Sequence, residues 1–120
     1  MKPAISGTGF GYINVEGLKV EHDIVIRLSG KIKKRKKKLS KAIYGTSHTL
    51  SLGEAKNIYQ DGAKRLIIGS GQEGRVSLAK DAEEYFQKKK CGVVLQPTPK
   101  AIEIWNKARG EVIGLFHVTC

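Results

Sequence analysis

Three short apolar runs stand out in the second half of the chain: Leu66-Ile67-Ile68, Val93-Val94-Leu95 and Val112 to Val118. None alternates with polar residues, which is the pattern of strands covered on both faces. Helical periodicity fills the intervals. Leu52, Ala55, Ile58 and Tyr59 share one face, behind a capping box made by Ser51 and Glu54. Leu78, Ala82, Tyr85 and Phe86 share another, in a helix expected from a Ser77 cap to Lys90. Thr98-Pro99 opens a third, with Ala101, Ile102, Trp105 and Ala108 inward. Gly62, Gly92 and Gly110 are placed to end these helices. The order α-β-α-β-α-β from residue 51 predicts parallel strands joined by crossover helices.

The first half reads differently. Residues 1–9 form an expected loose lead-in. Phe10 to Val15 and Val20 to Leu28 predict a β-hairpin turning at Glu16-Gly17. Residues 42–48 show no period and predict an ordered loop in which Ile43 and Tyr44 are buried. The fold class is therefore α/β: three layers, a mixed central sheet with a parallel βαβ core flanked by helices, and an N-terminal β-hairpin. A length of 120 residues fits a single domain.

Charge changes the picture in one place. Nine of the 22 basic residues and none of the 11 acidic ones lie in residues 27–41, leaving 13 against 11 elsewhere. The net charge of +11 is thus one cationic arm on a nearly neutral body. Its centre is Lys31, Lys33, Lys34, Arg35, Lys36, Lys37 and Lys38, expected to be solvated. Such a cluster attracts phosphate backbones by counterion release, without base stacking because no aromatic is interleaved. It equally suits an acidic protein surface, or an edge kept soluble by charge. Lysine-rich surfaces also mark hyperthermophile proteins, although there Glu balances Lys. Cys91 and Cys120, with no apolar leader, point to a reducing, cytoplasmic setting, and no run is long enough for a membrane span.

Candidate chemistry is sparse. Gly69-Ser70-Gly71-Gln72-Glu73-Gly74 matches G-x-G-x-x-G after a strand, and Arg75 follows. A dinucleotide site needs the helix to open within the motif and an acid ending the next strand. Here the next strand ends in Gln96 and only 46 residues follow Gly74. The remaining readings are a small anion pocket built from loop amides and a tight turn requiring glycine. Tyr44, Gly45, Thr46, Ser47 and His48 form a second notable loop, and His117-Val118-Thr119-Cys120 ends the chain. His48, Glu73, His117 and Cys120 could supply a nucleophile and a base only if the fold brings them together. His117 on an apolar strand reads more simply as a hydrogen-bonded core residue. The H-x-x-C spacing lacks the second half of a zinc site. No catalytic set, metal or cofactor is expected.

Phe10-Gly11-Tyr12-Ile13, Glu21 to Ile26, Leu66 to Gly74, Pro97-Thr98-Pro99-Lys100-Ala101 with Trp105-Asn106, and His117 to Cys120 together resemble one family of small α/β domains of unknown function. That family includes a mitochondrial complex I assembly factor and an animal protein linked to adipocyte differentiation. The Tyr44–His48 stretch is similar to its archaeal members. The resemblance covers nearly the whole chain. It implies a three-layer α/β fold with a mixed sheet and an N-terminal hairpin layer, no established reaction or cofactor, and a role through protein contacts. The run from Lys31 to Lys38 is more basic than that family pattern. The expectation is a non-enzymatic binding or assembly module presenting the Tyr44–His48 and Gly69–Arg75 loops as one surface, with the arm adding contacts to an acidic partner. The alternatives are an RNA- or ribosome-associated protein acting through the arm, and a small-anion binder or enzyme at the glycine loop.

Overall fold

The structure, a computed structural model, describes residues 2–120; Met1 of the lead-in lies outside them. Its centre is strand β10, Val112–His117, buried at all six positions. In chain order the elements before it are β1 (Ile5–Gly9), β2 (Tyr12–Val15), β3 (Leu18–Val20), β4 (Ile24–Ile26), β5 (Ile32–Lys34), α1 (Lys38–Tyr44), β6 (Thr49–Leu50), α2 (Leu52–Ile58), β7 (Arg65–Ser70), β8 (Ser77–Leu78), α3 (Lys80–Lys88), β9 (Gly92–Gln96) and α4 (Thr98–Lys107). The central sheet runs β5-β4-β10-β7-β9. β7 and β9 join β10 in parallel, and β4 and β5 add antiparallel strands beside it. The mixed sheet with a parallel core is thus present.

Alternation along the strands divides the interior into two cores. Ile24, Ile26, Ile67 and Phe116 face α4 and the separate antiparallel sheet β1-β2-β3, where they pack with Trp105, Ile13 and Val15. Val25, Leu66, Ile68, Ile113 and Leu115 face the other way, onto Ala55 and Ile58 of α2 and Ala82 and Phe86 of α3. Gly114 lies in the middle of β10 because a Cβ there would come within 3.0 Å of the Trp105 ring. The indole then packs edge-on to Phe116 at 5.7 Å and donates its N–H to Pro3 O at 2.8 Å.

Several local expectations need correction. The lead-in contains β1, which Gly7 and Gly9 had concealed by interrupting the alternation. The expected hairpin is split. β2 and β3 pair with each other, whereas Ile24–Ile26 leaves for the central sheet. The segment after the lysine run is helical, and Gly45 at φ 71° ends α1. Ile43 and Tyr44 are exposed at 68% and 42% rather than buried. Ser77 caps nothing. It pairs in β8 with Thr49 of β6, and α3 begins three residues later. Val93 and Val94 are only half buried, because β9 is an edge strand. α2 and α4 end at Ile58 and Lys107, so Gly62 and Gly110 shape the following turns instead.

Candidate functional site at the carboxyl rim

β7 and β10 finish side by side, with His117 opposite Ser70. Ligands in parallel α/β sheets usually meet this carboxyl rim. β7 runs on through Gly69 and Ser70, so the loop expected at Gly69–Arg75 leaves the strand only at Gly71. Gly71, at φ 105°, turns the chain so tightly that a Cβ would collide with the Cys120 carbonyl group. The loop then closes on the C-terminal segment. Gln72 N donates to Thr119 O at 2.7 Å, while Glu73 N and Arg75 N donate to Cys120 O at 3.1 and 3.2 Å. Gly71 N donates to Thr98 Oγ1, Gly74 N to Gly71 O and Val76 N to Ser70 O. Every amide from Gly71 to Val76 therefore has an acceptor inside the chain. The loop is a clasp for residues 117–120, and this geometry does not offer the cluster of unpaired N–H groups an anion cradle requires. Glu73 and Arg75 point outward and pair across 3.6 Å.

Beneath this clasp lies the feature the sequence concealed. Arg35 is not part of a solvated arm; it is 3% exposed. Its Nε donates to Glu54 Oε2 at 2.5 Å and its Nη2 to Glu54 Oε1 at 3.0 Å, a bidentate fork. Nη1 reaches Asp23 Oδ2 at 3.0 Å, and Nη2 also donates to Ser47 O at 2.8 Å. Glu54, fully buried, accepts as well from the Ser40 hydroxyl, and its amide is capped by Ser51 Oγ at 3.1 Å. Half of the capping box is thus as expected, but the Glu54 carboxylate turns away to Arg35 and Ser40. The one guanidinium in a run of lysines was the available signal, since only Arg offers a planar fork of donors to two carboxylates.

Asp23 carries the network to β10. Val118 N donates to Oδ1 at 2.9 Å and His117 Nδ1 to Oδ2 at 2.7 Å. Burial pushes the Asp23 carboxyl up, but the His117 hydrogen bond and charge, the Val118 amide and Arg35 outweigh it and hold its pKa below the ordinary value. For Arg35, burial acts downward and the Glu54 and Asp23 contacts more than offset it. His117 Nε2 lies 3.2 Å from Thr119 Oγ1. Its ring meets that of His48 edge-on at 5.5 Å. Burial, then the neighbouring His117 and Arg75, lower the His48 pKa.

The row from Asp23 through His117 to Thr119 has the connectivity by which a carboxylate and an imidazole activate a hydroxyl. His117, however, is 2% exposed and closed over by His48. In this setting the row fastens β4 to the C-terminal segment. Cys91 is buried near α3, and burial raises its pKa.

The segments that follow the two loops singled out in the sequence pair as β6 and β8. His48 O accepts from Ser77 N at 2.8 Å and Leu50 O from Ala79 N at 2.9 Å, tying the segment after Tyr44–His48 to the segment after Gly69–Arg75. Within the first loop Ser47 is buried, and Thr46 Oγ1 accepts from His48 N. Outside the network, Lys33, Lys34, Lys36, Lys37 and Lys38 are exposed. Lys34 sits opposite Ile24, at the level of Phe116, so this part of the arm stands at the same rim. A hollow of about 360 Å³ opens among residues 34–38. Lys31 lies farther back, before Ile32 and Ile26.

Helices α2 and α3 on one face of a mixed sheet, and α4 with a small antiparallel sheet on the other, make a three-layer α/β fold. The chain belongs to the DUF498/DUF598 family, proteins of unknown function, whose model matches residues 5–117. It is similar to the crystal structure of the conserved hypothetical protein PH1505 from Pyrococcus horikoshii, at 31% identity and a TM-score of 0.88 over all of both chains. It is also similar to a protein named MT938, at 29% identity and a TM-score of 0.82, covering 99% of this chain and all of that one. A Bordetella pertussis protein described as a Mth938-like domain shares the fold at 15% identity, with a TM-score of 0.63 over 97% of this chain and 85% of its own. Among the described residues no helix is long and apolar enough to cross a membrane.

Proposed function

We propose that this chain is a non-enzymatic binding or assembly module of the cytoplasm, docking an acidic protein surface on its carboxyl rim. One observation carries the reading: the Arg35 network holds a strip of exposed lysines beside two exposed apolar side chains, Ile43 and Tyr44. Large apolar side chains ringed by one sign of charge suit a partner with a matching apolar patch and an acidic margin. Lysines in such a margin act mainly on association rate and salt dependence, and the buried anchors on affinity. The likeness to an assembly factor, drawn from the family motifs, is to a protein of the same kind of work.

The test is affinity capture from native extract after nuclease treatment, with the chain as bait. The expected result is a retained acidic protein that is lost in Ile43→Ser/Tyr44→Ser and weakened by salt in the intact chain. Capture indifferent to both Ile43→Ser/Tyr44→Ser and Lys34→Ser/Lys36→Ser/Lys37→Ser/Lys38→Ser would overturn the reading. The hollow among residues 34–38 favours a second reading, in which the arm binds RNA phosphates. Four lysine contacts to a single strand predict a slope of log affinity against log salt of about −3. A nuclease-sensitive complex with that slope selects RNA over protein.

A further inference from the structure

Among the described strands, β6 and β8 make the shortest pairing, two residues on each side. Its two rungs are held unequally. Leu50 is fully buried in the core beneath α2 and α3, and its carbonyl accepts from Ala79 N at 2.9 Å. One rung earlier, His48 O accepts from Ser77 N at 2.8 Å, but His48 and Thr49 are only half buried. The His48 ring makes no hydrogen bond to another described residue. It is kept at the rim by its edge-on contact with the His117 ring at 5.5 Å.

The charges around that ring suit it only when neutral. They come from four places: His117 at the end of β10, Arg75 after β7, Arg35 after β5 and Asp23 before β4. Asp23 is the one carboxylate among them, and its oxygens are engaged. Oδ2 accepts from His117 Nδ1 and Arg35 Nη1, and Oδ1 from Val118 N. Glu73, on the loop after β7, pairs with Arg75 at 3.6 Å instead. A proton on His48 would therefore meet two guanidinium groups and a second imidazole.

We propose that His48 is a proton-released latch: once protonated, its ring leaves His117, the Ser77 rung opens, and residues 46–48 lose their fixed place while Leu50 stays anchored. Those residues follow Ile43, Tyr44 and Gly45 at the end of α1, a helix that buries Ser40 alone. Mild acid thus loosens the face on which a partner would dock. That consequence rests on the docking reading above; the latch itself does not.

The direction of the effect follows from linkage. Burial, then His117 and Arg75, lower the His48 pKa. The closed latch is fully stabilised above the ordinary histidine value of 6.5 and progressively less below it. From about pH 7.5 to pH 5.5 the open form gains at most about tenfold, the limit set by an ordinary histidine in the open form.

Amide hydrogen exchange of the full chain, followed by nuclear magnetic resonance and corrected for the intrinsic rate at each pH, tests this. Protection at Ser77 should fall by roughly three- to tenfold over that range, and protection at Ala79 by less than half as much. His48→Phe keeps an aromatic edge and cannot take a proton, so Ser77 should there hold its protection. His22 and His117 remain in that variant, so any acid response of theirs is accounted for. His48→Gln serves if His48→Phe does not fold. Ser77 protection that stays unchanged with pH, that falls equally at Ala79, or that falls equally in the uncharged variant would overturn the latch. The docking reading fails separately, through capture indifferent to Ile43→Ser/Tyr44→Ser, and exchange measured without a partner does not depend on it.

Discussion

Replacing Arg35 by alanine tests the claim that a residue inside a lysine run is a buried strut. The guanidinium makes four hydrogen bonds, two to Glu54 and one each to Asp23 and Ser47 O. Its side chain and that of Glu54 are fully buried, and that of Asp23 is 5% exposed. Removing Arg35 leaves Asp23 with the His117 and Val118 donors, but leaves Glu54 with the Ser40 hydroxyl alone. Breaking one side of a buried pair costs about 3–5 kcal/mol, out of roughly 5–15 kcal/mol for a domain. Taking about 1.5 kcal/mol per M for the urea slope, the unfolding midpoint should fall by roughly 2–3 M. Lys34→Ala, an exposed neighbour, should shift it within about 0.5 kcal/mol. Since Glu54 is the stranded charge, Arg35→Ala/Glu54→Gln should be at least about 1 kcal/mol more stable than the sum of the single changes. Arg35→Lys should recover only part of the loss, because an ammonium cannot span both carboxylates with a planar fork. An Arg35→Ala loss no larger than that of Lys34→Ala, or strict additivity with Glu54→Gln, would refute the assignment.

The remaining predictions concern the clasp and the histidines. Gly71→Ala combines positive φ with a collision at Cys120 and should cost about 2–4 kcal/mol in urea unfolding, whereas Gly11→Ala, at φ 91° with open space around it, should cost only about 1–2 kcal/mol; equal losses would show that the collision is relieved freely. Because the folded pKa of Asp23 is lowered, its contribution to stability is present above the ordinary carboxylate value of 3.8 and is lost as pH falls below it, so the urea midpoint should decline from about pH 4 downward. Asp23→Asn should start lower and show a shallower acid limb; an unchanged limb would exclude Asp23 as its source. His48 should titrate below 6.5 when followed by its ring proton resonances, and Arg75→Gln should move it only partly back, since burial is the larger cause; a midpoint at or above 6.5 would contradict the packing of His48 against His117.

The sequence shows the fold where side chains occupy both faces of a strand, and conceals it where they do not. Leu66 to Ile68 and Val112 to Val118 could be nothing other than interior strands, and they are the pair on which the sheet is built. β1 escaped notice because only Ile5 of its five residues is buried. Ile24–Ile26 was visible as a strand but not as a member of the central sheet, since three apolar residues fit either. Ser77 satisfies the rule for a helix cap, yet its amide belongs to His48 O, a partner 29 positions earlier that no local rule can supply. The loops at residues 44–48 and 69–75 were recognisable as unusual. The pairing of the segments that follow them, and the consumption of the glycine-loop amides by Thr119 and Cys120, are long-range facts. Arg35 is the sharpest case: a charge tally treats it as one more cation, and only the difference between a guanidinium fork and an ammonium separates it from its neighbours.

That difference also explains why a buried ionic network belongs at this rim. Such networks are poor stabilisers compared with apolar packing of the same volume. Their directional bonds instead fix positions. Arg35 ties the strand after Asp23, the turn at Ser47 and the first turn of α2 to a single planar group, and Asp23 extends the tie to His117 and Val118. The segments so joined are those that carry Lys34, Lys36, Lys37, Lys38, Ile43, Tyr44 and His48. A crowd of lysines on short elements repels itself and tends to splay. Beneath this crowd, the bonds from Arg35 to Asp23, Glu54 and Ser47 O hold those elements together. The lysine strip and the clasped loops therefore keep a fixed shape before any partner arrives, which lowers the ordering cost that binding would otherwise carry.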